Sequence, residues 1–578
     1  MSITEDIRTF YNSGWIPCPE KEFRDLLENA SPVIRQSVVT MAKRIQALSG
    51  VGVALSAERN LPKLLEQIVR EARNLTRADG GSLYLLDEER TKLYFKVAQT
   101  ESLGINMDGT RENSAFRPIP LYDEAGGPNH HHTSVHCALT GEIVNISDVY
   151  SEESAYDFTG PKEFDMANDY RTKSQLSLPL RNHGDEIIGV LQLINAQDAE
   201  SGEIIPFSRD VRQLALTLAS QAAVAITNAQ LIRDREEMFN ALIRVIAGAI
   251  DEKSPYTGGH IERVARLTMR LAEEVNADRE ELPEDAFNEQ EMEELRLAAW
   301  LHDIGKITTP EWILNKSTKL ETLYDRGNAV RLRFEILKRD AEITFLREQL
   351  KEITGPETES ESQTKADELR SDLQNLEEEW GWIQRINRGD EITDDGMRHR
   401  IAEIAGRRIR LENESRPLLS EEERENLAIR SGTLNDEERQ IIRNHVAVTR
   451  KMLEQLPYPK GLESIPRYAG AHHERLDGSG YPDNLQEEEI PLQARIMALA
   501  DVFEALTARD RPYTEGKSLS EAMKILGSLV ERNHIDGRLF RVFIRSGLVQ
   551  EYAEENIDTR QIDCLNYDMN GNTIVTDR

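Results

Sequence analysis

Residues 301–307 read Leu301-His302-Asp303-Ile304-Gly305-Lys306-Ile307, and residues 472–482 read His472-His473-Glu474-Arg475-Leu476-Asp477-Gly478-Ser479-Gly480-Tyr481-Pro482. The first stretch ends a helical pattern in which Leu295, Ala298 and Ala299 put His302 on the stripe a helix buries. Working outward, His260 falls in register with Val264, Leu267 and Leu271, His445 is surrounded by Ile441, Ile442, Val448 and Met452, and Asp501 shares a face with Ala494, Met497, Ala498 and Ala505. One such histidine is more often a hydrogen-bonded core residue than a ligand. Several on separate helices, beside aspartates and with no lysine or arginine on the same stripes, reverse that judgement. A buried carboxylate costs several kcal/mol unless charge compensates it, and divalent metal removes the difficulty. Half of the 12 histidines are then explained by His260, His302, His445, His472, His473 and nearby His534, the last not counted as a ligand.

The rest of the chain sets limits on what this chemistry serves. At 578 residues it exceeds what one hydrophobic core supports, so two or three domains are expected. A net charge of −32 argues against a sequence-independent grip on nucleic acid, while leaving room for a small anionic substrate held by metal and a few basic side chains. Cys18, Cys137 and Cys564 are far apart and make no CxxC, so neither a disulfide framework nor a thiolate zinc site is expected. Met1–Phe10 carries Glu5, Asp6 and Arg8 where a signal peptide needs apolar residues, and no unbroken apolar run is long enough to span a bilayer. A cytoplasmic address without membrane attachment is the expectation.

Taken in order, and followed by Ala500-Asp501-Val502-Phe503-Glu504-Ala505-Leu506-Thr507 and Asp510-Arg511-Pro512-Tyr513, the two opening stretches resemble the HD phosphohydrolase signature and the HHExxDGxGYP segment of the HD-GYP subgroup. The resemblance covers about 240–317 and 431–550. It implies an all-α catalytic domain in which His260, His302, Asp303, His445, His472, His473 and Asp501 ligate two divalent metals, iron or manganese, with zinc open by ligand type. Asp303 would bridge them, since a carboxylate offers two oxygens. A third ion in some relatives uses a glutamate four residues before the first histidine; Tyr256 stands there. The implied reaction is hydrolysis of cyclic di-GMP to pGpG or GMP by metal-activated water. Asp303 and Lys306 are then the catalytic residues, with Lys306 contacting the scissile phosphate or leaving oxygen. Gly480, Tyr481 and Pro482 would shape the substrate cleft, and Arg511, Tyr513 and Lys517 would hold substrate. The family often has RPYR where this chain has Thr514 in fourth place, which implies one charged contact fewer to substrate. Another cyclic or linear dinucleotide as substrate, or a non-catalytic cyclic di-GMP receptor, are the competing readings.

N-terminal to this lies a different pattern. Residues 1–50 read as short helices with a break at Ser49-Gly50-Val51-Gly52, and Gly81–Leu86, Leu93–Ala98, Ile143–Ile146, Ser174–Leu180 and Glu186–Ile194 read as strands. The run Tyr170–Leu180, the turn Asn182-His183-Gly184-Asp185 and the run Ile187–Asn195 resemble a GAF domain, giving an α+β sensor over 51–210 whose ligand is unknown. Ala196 replaces the lysine that follows the asparagine in nucleotide-binding members. The triplet His130-His131-His132 follows Gly126-Gly127-Pro128-Asn129 and reads as a loop rather than a metal site.

Residues 211–250 form a long helical pattern with Leu218, Ala222, Ala225, Ala229 and Ile232 at helical spacing, interrupted at Arg235 and Glu236. It packs either on its own domain or against a second chain, as a signalling helix in a parallel homodimer. Residues 318–430 are a charged insert. There Val330, Phe334, Leu337, Ala341 and Phe345 and then Leu369, Leu373, Leu376, Trp380 and Ile383 mark two helices, with the breaker Thr354-Gly355-Pro356-Glu357 between them. A helical hairpin inserted into the catalytic domain follows, with a C-terminal tail over 551–578.

Overall fold

The computed structural model describes residue 25 and residues 29–108, 118–130, 132–151, 156–253, 258–352, 359–411, 414–508, 516–564 and 566–572. Two units, Met1–Met238 and Phe239–Arg578, are each internally packed.

In the first unit, helix α1 (Pro32–Ala57) starts at Ser31, whose hydroxyl accepts from the Ile34 N–H, and α2 (Leu61–Thr76) starts at Asn60, whose side chain accepts from the Lys63 N–H. The expected break at Ser49–Gly52 is absent. Each helical glycine costs about 1 kcal/mol, but Val51 and Leu55 are buried in the domain core, and that packing carries the helix through to Ala57. An antiparallel sheet follows: β1 (Ala78–Leu86), β2 (Lys92–Thr100), β3 (Ile105–Asp108), β4 (Ile119–Pro120), β5 (Val144–Ile146), β6 (Gln175–Arg181), β7 (Ile187–Gln197) and β8 (Ile204–Ile205). Its main order is β3-β2-β1-β7-β6-β5. Helices α3 (Thr133–Thr140) and α4 (Thr159–Asn168) lie in the connections. The turn at Asn182–Asp185 joins β6 to β7 with Asn182 Oδ1 accepting from the Gly184 and Glu186 N–H groups. His130 and His132 lie just before α3, outside every cluster with metal-ligand geometry among the described residues; His131 lies outside those residues.

Helix α5 (Arg209–Asp251) crosses from the first unit into the second. The side chains read as a seam for a second chain, Leu218, Ala222, Ala225 and Ala229, are buried in the first unit's own core. Ile232 alone of that set is exposed. A different stripe, Val224, Leu231 and Met238, is solvent-facing at seven-residue spacing. By length and composition α1 and α5 also pass as membrane-crossing helices, with mean hydropathies of 1.2 and 1.3 in their most apolar windows. Small and polar residues interspersed along both keep either from reading as one unbroken apolar run.

The second unit is built from α6 (His260–Ala277), α7 (Glu289–Leu301), a 3₁₀ turn (Ile304–Thr308), α8 (Glu311–Leu314), α9 (Gly327–Glu352), α10 (Glu359–Asn387), α11 (Asp395–Gly406), β9 (Arg408–Leu411), β10 (Glu414–Pro417), α12 (Glu421–Leu427), α13 (Asp436–Leu453), α14 (Ile465–Ala469), α15 (Leu492–Thr507), α16 (Leu519–Glu531), α17 (Gly537–Arg545) and α18 (Leu548–Asn556). Capping boxes at Asn288 and Asn435 start α7 and α13. Leu271, Leu295, Ala298, Met497, Phe503, Phe540 and Phe543 belong to one core drawn from α6, α7, α15 and α17.

The insert has a second core. Val330, Phe334, Leu376 and Ile383 of the α9–α10 pair pack with Ile401, Ile404, Ile409, Leu418 and Leu427. It is therefore more than a hairpin: α11, the β9–β10 ribbon and α12 complete it. Lys319 is wholly buried, with Nζ donating to Thr393 Oγ1 at 2.8 Å, Leu427 O at 3.1 Å and Ile429 O at 2.7 Å.

Candidate metal centre

Five segments of the second unit bring candidate ligands together. His260 opens α6, His302 caps the C-terminus of α7, Asp303 precedes the 3₁₀ turn, His445 lies mid-way along α13, His472 and His473 follow α14, and Asp501 lies on α15. The approach of the 3₁₀ turn to α13 requires a glycine at 305: a Cβ there would stand 2.0 Å from His445 O. Thr449 fastens the same contact, its hydroxyl accepting from the Gly305 N–H at 2.9 Å and donating to His302 O at 3.1 Å.

The imidazoles are aimed by their own backbone. Nδ1 of His302 sits 2.8 Å from Ala299 O, Nδ1 of His472 2.6 Å from Ala469 O, and Nδ1 of His445 contacts Ile442 O. Each Nδ1 is therefore the protonated nitrogen, and Nε2 turns inward with a lone pair. Nε2 of His302, His445 and His472 and Oδ1 of Asp303 are buried without a hydrogen-bond partner. Four such orphans in one place are costly unless a cation occupies the space between them.

The donor geometry fits that requirement. His445, His472 and His473 form one triad, His260, His302 and Asp501 a second, and His302, Asp303 and His472 a third, with ligand atoms within 4.8 Å of one another in each. The first two triads share no residue, and Asp303 stands between them. Its Oδ1 lies 3.2 Å from His445 Nε2, while its Oδ2 lies 3.3 Å from His302 Nε2 and 3.7 Å from His260 Nε2. These seven residues are those the sequence singles out.

The electrostatics divide the set: against burial, the crowded carboxylates draw a proton to His260 and to His302, a positive charge that a bound cation would replace. Burial works against a charged His260, but Asp303, Asp501 and Glu504 outweigh it and hold the imidazole well above its ordinary range. Burial favours the neutral acid at Asp501, yet His260 and the other histidines keep its carboxyl well below the carboxylate range. Burial pushes His472 well down and His473 to about 4, which leaves both neutral and competent as ligands.

Glu504 escaped the sequence reading. It is almost wholly buried on α15, one turn beyond Asp501; its Oε2 meets Nδ1 of His260 and its Oε1 accepts from Arg263 Nε at 2.8 Å. A carboxylate behind a ligating imidazole fixes the ring's orientation and raises its basicity. The available signal was its position three residues after Asp501, on the buried face.

Lys306 lies at the rim with Nζ 2.5 Å from Asp303 Oδ2. It lines a cleft of about 330 Å³ together with His260, His473 and Asp501. The 478–482 loop is held by Glu474, whose carboxylate accepts from the Asp483 N–H at 2.7 Å and the Leu485 N–H at 3.0 Å. Gly480 is obligatory in it, since a Cβ would lie 2.4 Å from Glu474 Cα. The Tyr481 ring stands 4.9 Å from that of His473, with the Arg443 guanidinium 5.4 Å from its centre, and Pro482 follows it. Lys517 is exposed and is not itself in the cleft lining, but its N–H donates to O of the lining residue Leu506 at 3.0 Å; Tyr256, Arg511, Tyr513 and Thr514 lie outside the described residues. A larger groove of about 640 Å³ runs along the insert between α9, α10 and β9, but it contains none of the converging histidines, so the chemistry belongs to the smaller cleft.

Comparison with known proteins adds the following. A GAF domain family matches residues 60–226, and HD domain families match residues 257–384 and 422–539. The chain thus carries an N-terminal GAF domain followed by HD-domain sequence. Over 133 residues it is 40% identical to the 3′3′-cGAMP-specific phosphodiesterase 1 of Vibrio cholerae, an alignment covering 23% of this chain and 30% of that one. Over 103 residues it is 40% identical to the cyclic di-GMP phosphodiesterase of Thermotoga maritima, covering 18% and 27%. Over 115 residues it is 36% identical to a cyclic di-GMP phosphodiesterase of Pseudomonas aeruginosa, covering 20% and 27%. The chain therefore spans less than a third of the length of each of these curated relatives.

Proposed function

We propose that this protein is a metal-dependent phosphodiesterase that hydrolyses a cyclic dinucleotide, cyclic di-GMP first, to pGpG or GMP under control of its GAF domain. The observation that carries the reading is the set of inward-facing, unpartnered nitrogens of His302, His445 and His472 with Oδ1 of Asp303, beside a cleft rimmed by Lys306.

His260, His302 and Asp501 would hold one divalent ion and His445, His472 and His473 another, iron or manganese, with Asp303 offering an oxygen to each set; so bound, the ions would supply the charge that makes water a competent nucleophile near neutral pH. Lys306 leaves its pairing with Asp303 to meet a phosphodiester oxygen and steadies the leaving group. Gly480 and Pro482 set the path of the loop, and the Tyr481 ring offers a flat wall for a base. Arg511 and Lys517 are assigned to the second phosphate, and Tyr513 to substrate binding.

The relative named as 3′3′-cGAMP-specific favours that mixed dinucleotide as a second substrate reading. The assembly is a parallel homodimer in the cytoplasm, joined along the exposed Val224, Leu231 and Met238 stripe rather than the buried one, and a ligand of the GAF domain acts through α5. Purified protein loaded with Mn(II) or Fe(II) and offered a panel of cyclic and linear dinucleotides tests the proposal. Turnover of cyclic di-GMP with release of pGpG is expected; tight binding without turnover would make the protein a receptor.

A further inference from the structure

The C-terminal end of α5 touches two ligand-bearing segments of the metal centre while lining none of its cleft. Asp251, the last residue of the helix, is buried, and its Oδ2 accepts from the Gly259 N–H at 3.1 Å. Gly259 immediately precedes His260 and caps α6 at φ 77°. Two residues beyond the helix, Lys253 Nζ donates to Lys306 O at 3.1 Å and also to Ile307 O, the carbonyls at the far end of the turn that Asp303 opens. An ammonium suits that position because helical carbonyls at a C-terminus carry partial negative charge. Between these polar fastenings, Ala247 and Ile250 of α5 pack with Ile261, Trp300 and Ile304, which flank His260, His302 and Asp303 in sequence.

We propose that Asp251 and Lys253 are positioning residues that clamp the His260 and Asp303 segments in register, so that displacement of α5 is read out as altered metal binding and turnover. The inference rests on the metal-hydrolase reading. A helix end that served only to stop a helix would need neither fastening on the neighbouring segments. Ligands must be held within about 0.5 Å of productive geometry, and loss of an outer contact typically weakens metal binding 10–100-fold.

The test uses the full-length protein with Asp251→Asn, Asp251→Ala, Lys253→Met and Lys253→Arg. Mn(II) affinity of the metal-stripped protein is measured by chelator competition, alongside apo-protein melting and the kcat and KM for cyclic di-GMP. Asp251→Ala and Lys253→Met are expected to weaken Mn(II) binding about 10–100-fold, with kcat falling more than KM rises. Lys253→Arg, which keeps a donor for the two carbonyls, is expected to recover most of the loss. Should Asp251→Ala fail to fold, Asp251→Asn and the Lys253 pair decide. Variants that melt lower but bind Mn(II) like wild type overturn the clamp and leave the hydrolase reading intact, whereas a wild type that binds no Mn(II) overturns both.

Discussion

Two buried polar clusters in the second unit differ in one respect that separates chemistry from architecture. At Lys319 the ammonium has found three acceptors, and nearby Lys316 Nζ meets both oxygens of Glu438 at 2.7 and 2.8 Å. Around Asp303 the protein supplies buried acceptors and leaves several of them unanswered. Both clusters are buried and contain charge, so burial of charge alone does not mark a functional site. Unused hydrogen-bonding capacity, aimed at a common point, does.

The comparison can be broken most sharply at Asp303. Asp303→Ala should remove bound metal and lower turnover by at least about 1,000-fold, measured by elemental analysis and product release; Lys306→Ala should keep the metal and slow hydrolysis. Wild-type metal content in Asp303→Ala would place that cluster with the self-sufficient one. Glu504→Gln should come next, with Mn(II) affinity about 10–100-fold weaker in a protein that still folds, because His260 loses the carboxylate that orients it.

In the other cluster, Lys319→Met leaves three acceptors unanswered and should destabilise the insert by about 3 kcal/mol without changing metal content, as urea unfolding with a tryptophan probe would reveal. Its pH dependence has a definite sign. Burial lowers the Lys319 pKa from 10.5 to about 8. Between those values the unfolded chain binds the extra proton, so wild-type stability gains a rising contribution from pH 8 to pH 10.5 that Lys319→Met lacks. A slope that persists in the variant would assign it to other groups. The smallest effect is expected at the far end of the hairpin. Replacing residues 341–374 by a short glycine-rich turn should leave hydrolysis within about twofold of wild type, since the insert core relies on Val330, Phe334, Leu376 and Ile383 nearer its base. Excision from 327 to 390 would instead remove those core residues, and Asn387 with them, whose carbonyl and side chain accept from the Lys319 and Leu320 N–H groups.

The candidate site was readable in the sequence because its signal is local: histidines and aspartates on apolar helical stripes, in two short motifs. Glu504 was less visible because its partners, His260 and Arg263, are more than 200 residues away in sequence. The α5 stripe exposes a limit of periodicity. Leu218, Ala222 and Ala225 identify an apolar face, but spacing does not say whether a second chain or the helix's own domain covers it, and here the domain core does. The β9–β10 ribbon is short, four residues a strand, and although Arg408-Ile409-Arg410-Leu411 alternates, half of the residues in the two strands are charged and the second strand ends on Pro417, which leaves too brief a pattern to read as a strand pair.

The contact between Lys316 and Glu438 also bears on the order in which the chain folds. The two halves of the metal centre are separated by the whole insert, and that ion pair closes a span of 122 residues. For a flexible loop of that size the closure entropy exceeds that of a turn of a few residues by roughly 3 kcal/mol, growing as (3/2)RT ln n. An insert that folds early, with Thr433 Oγ1 bonded to Lys316 O at 3.0 Å, delivers α13 beside the 301–308 segment as if the intervening chain were short. A module remote from the chemistry thereby acts as a nucleation splint, and its amides should gain exchange protection before those of α13.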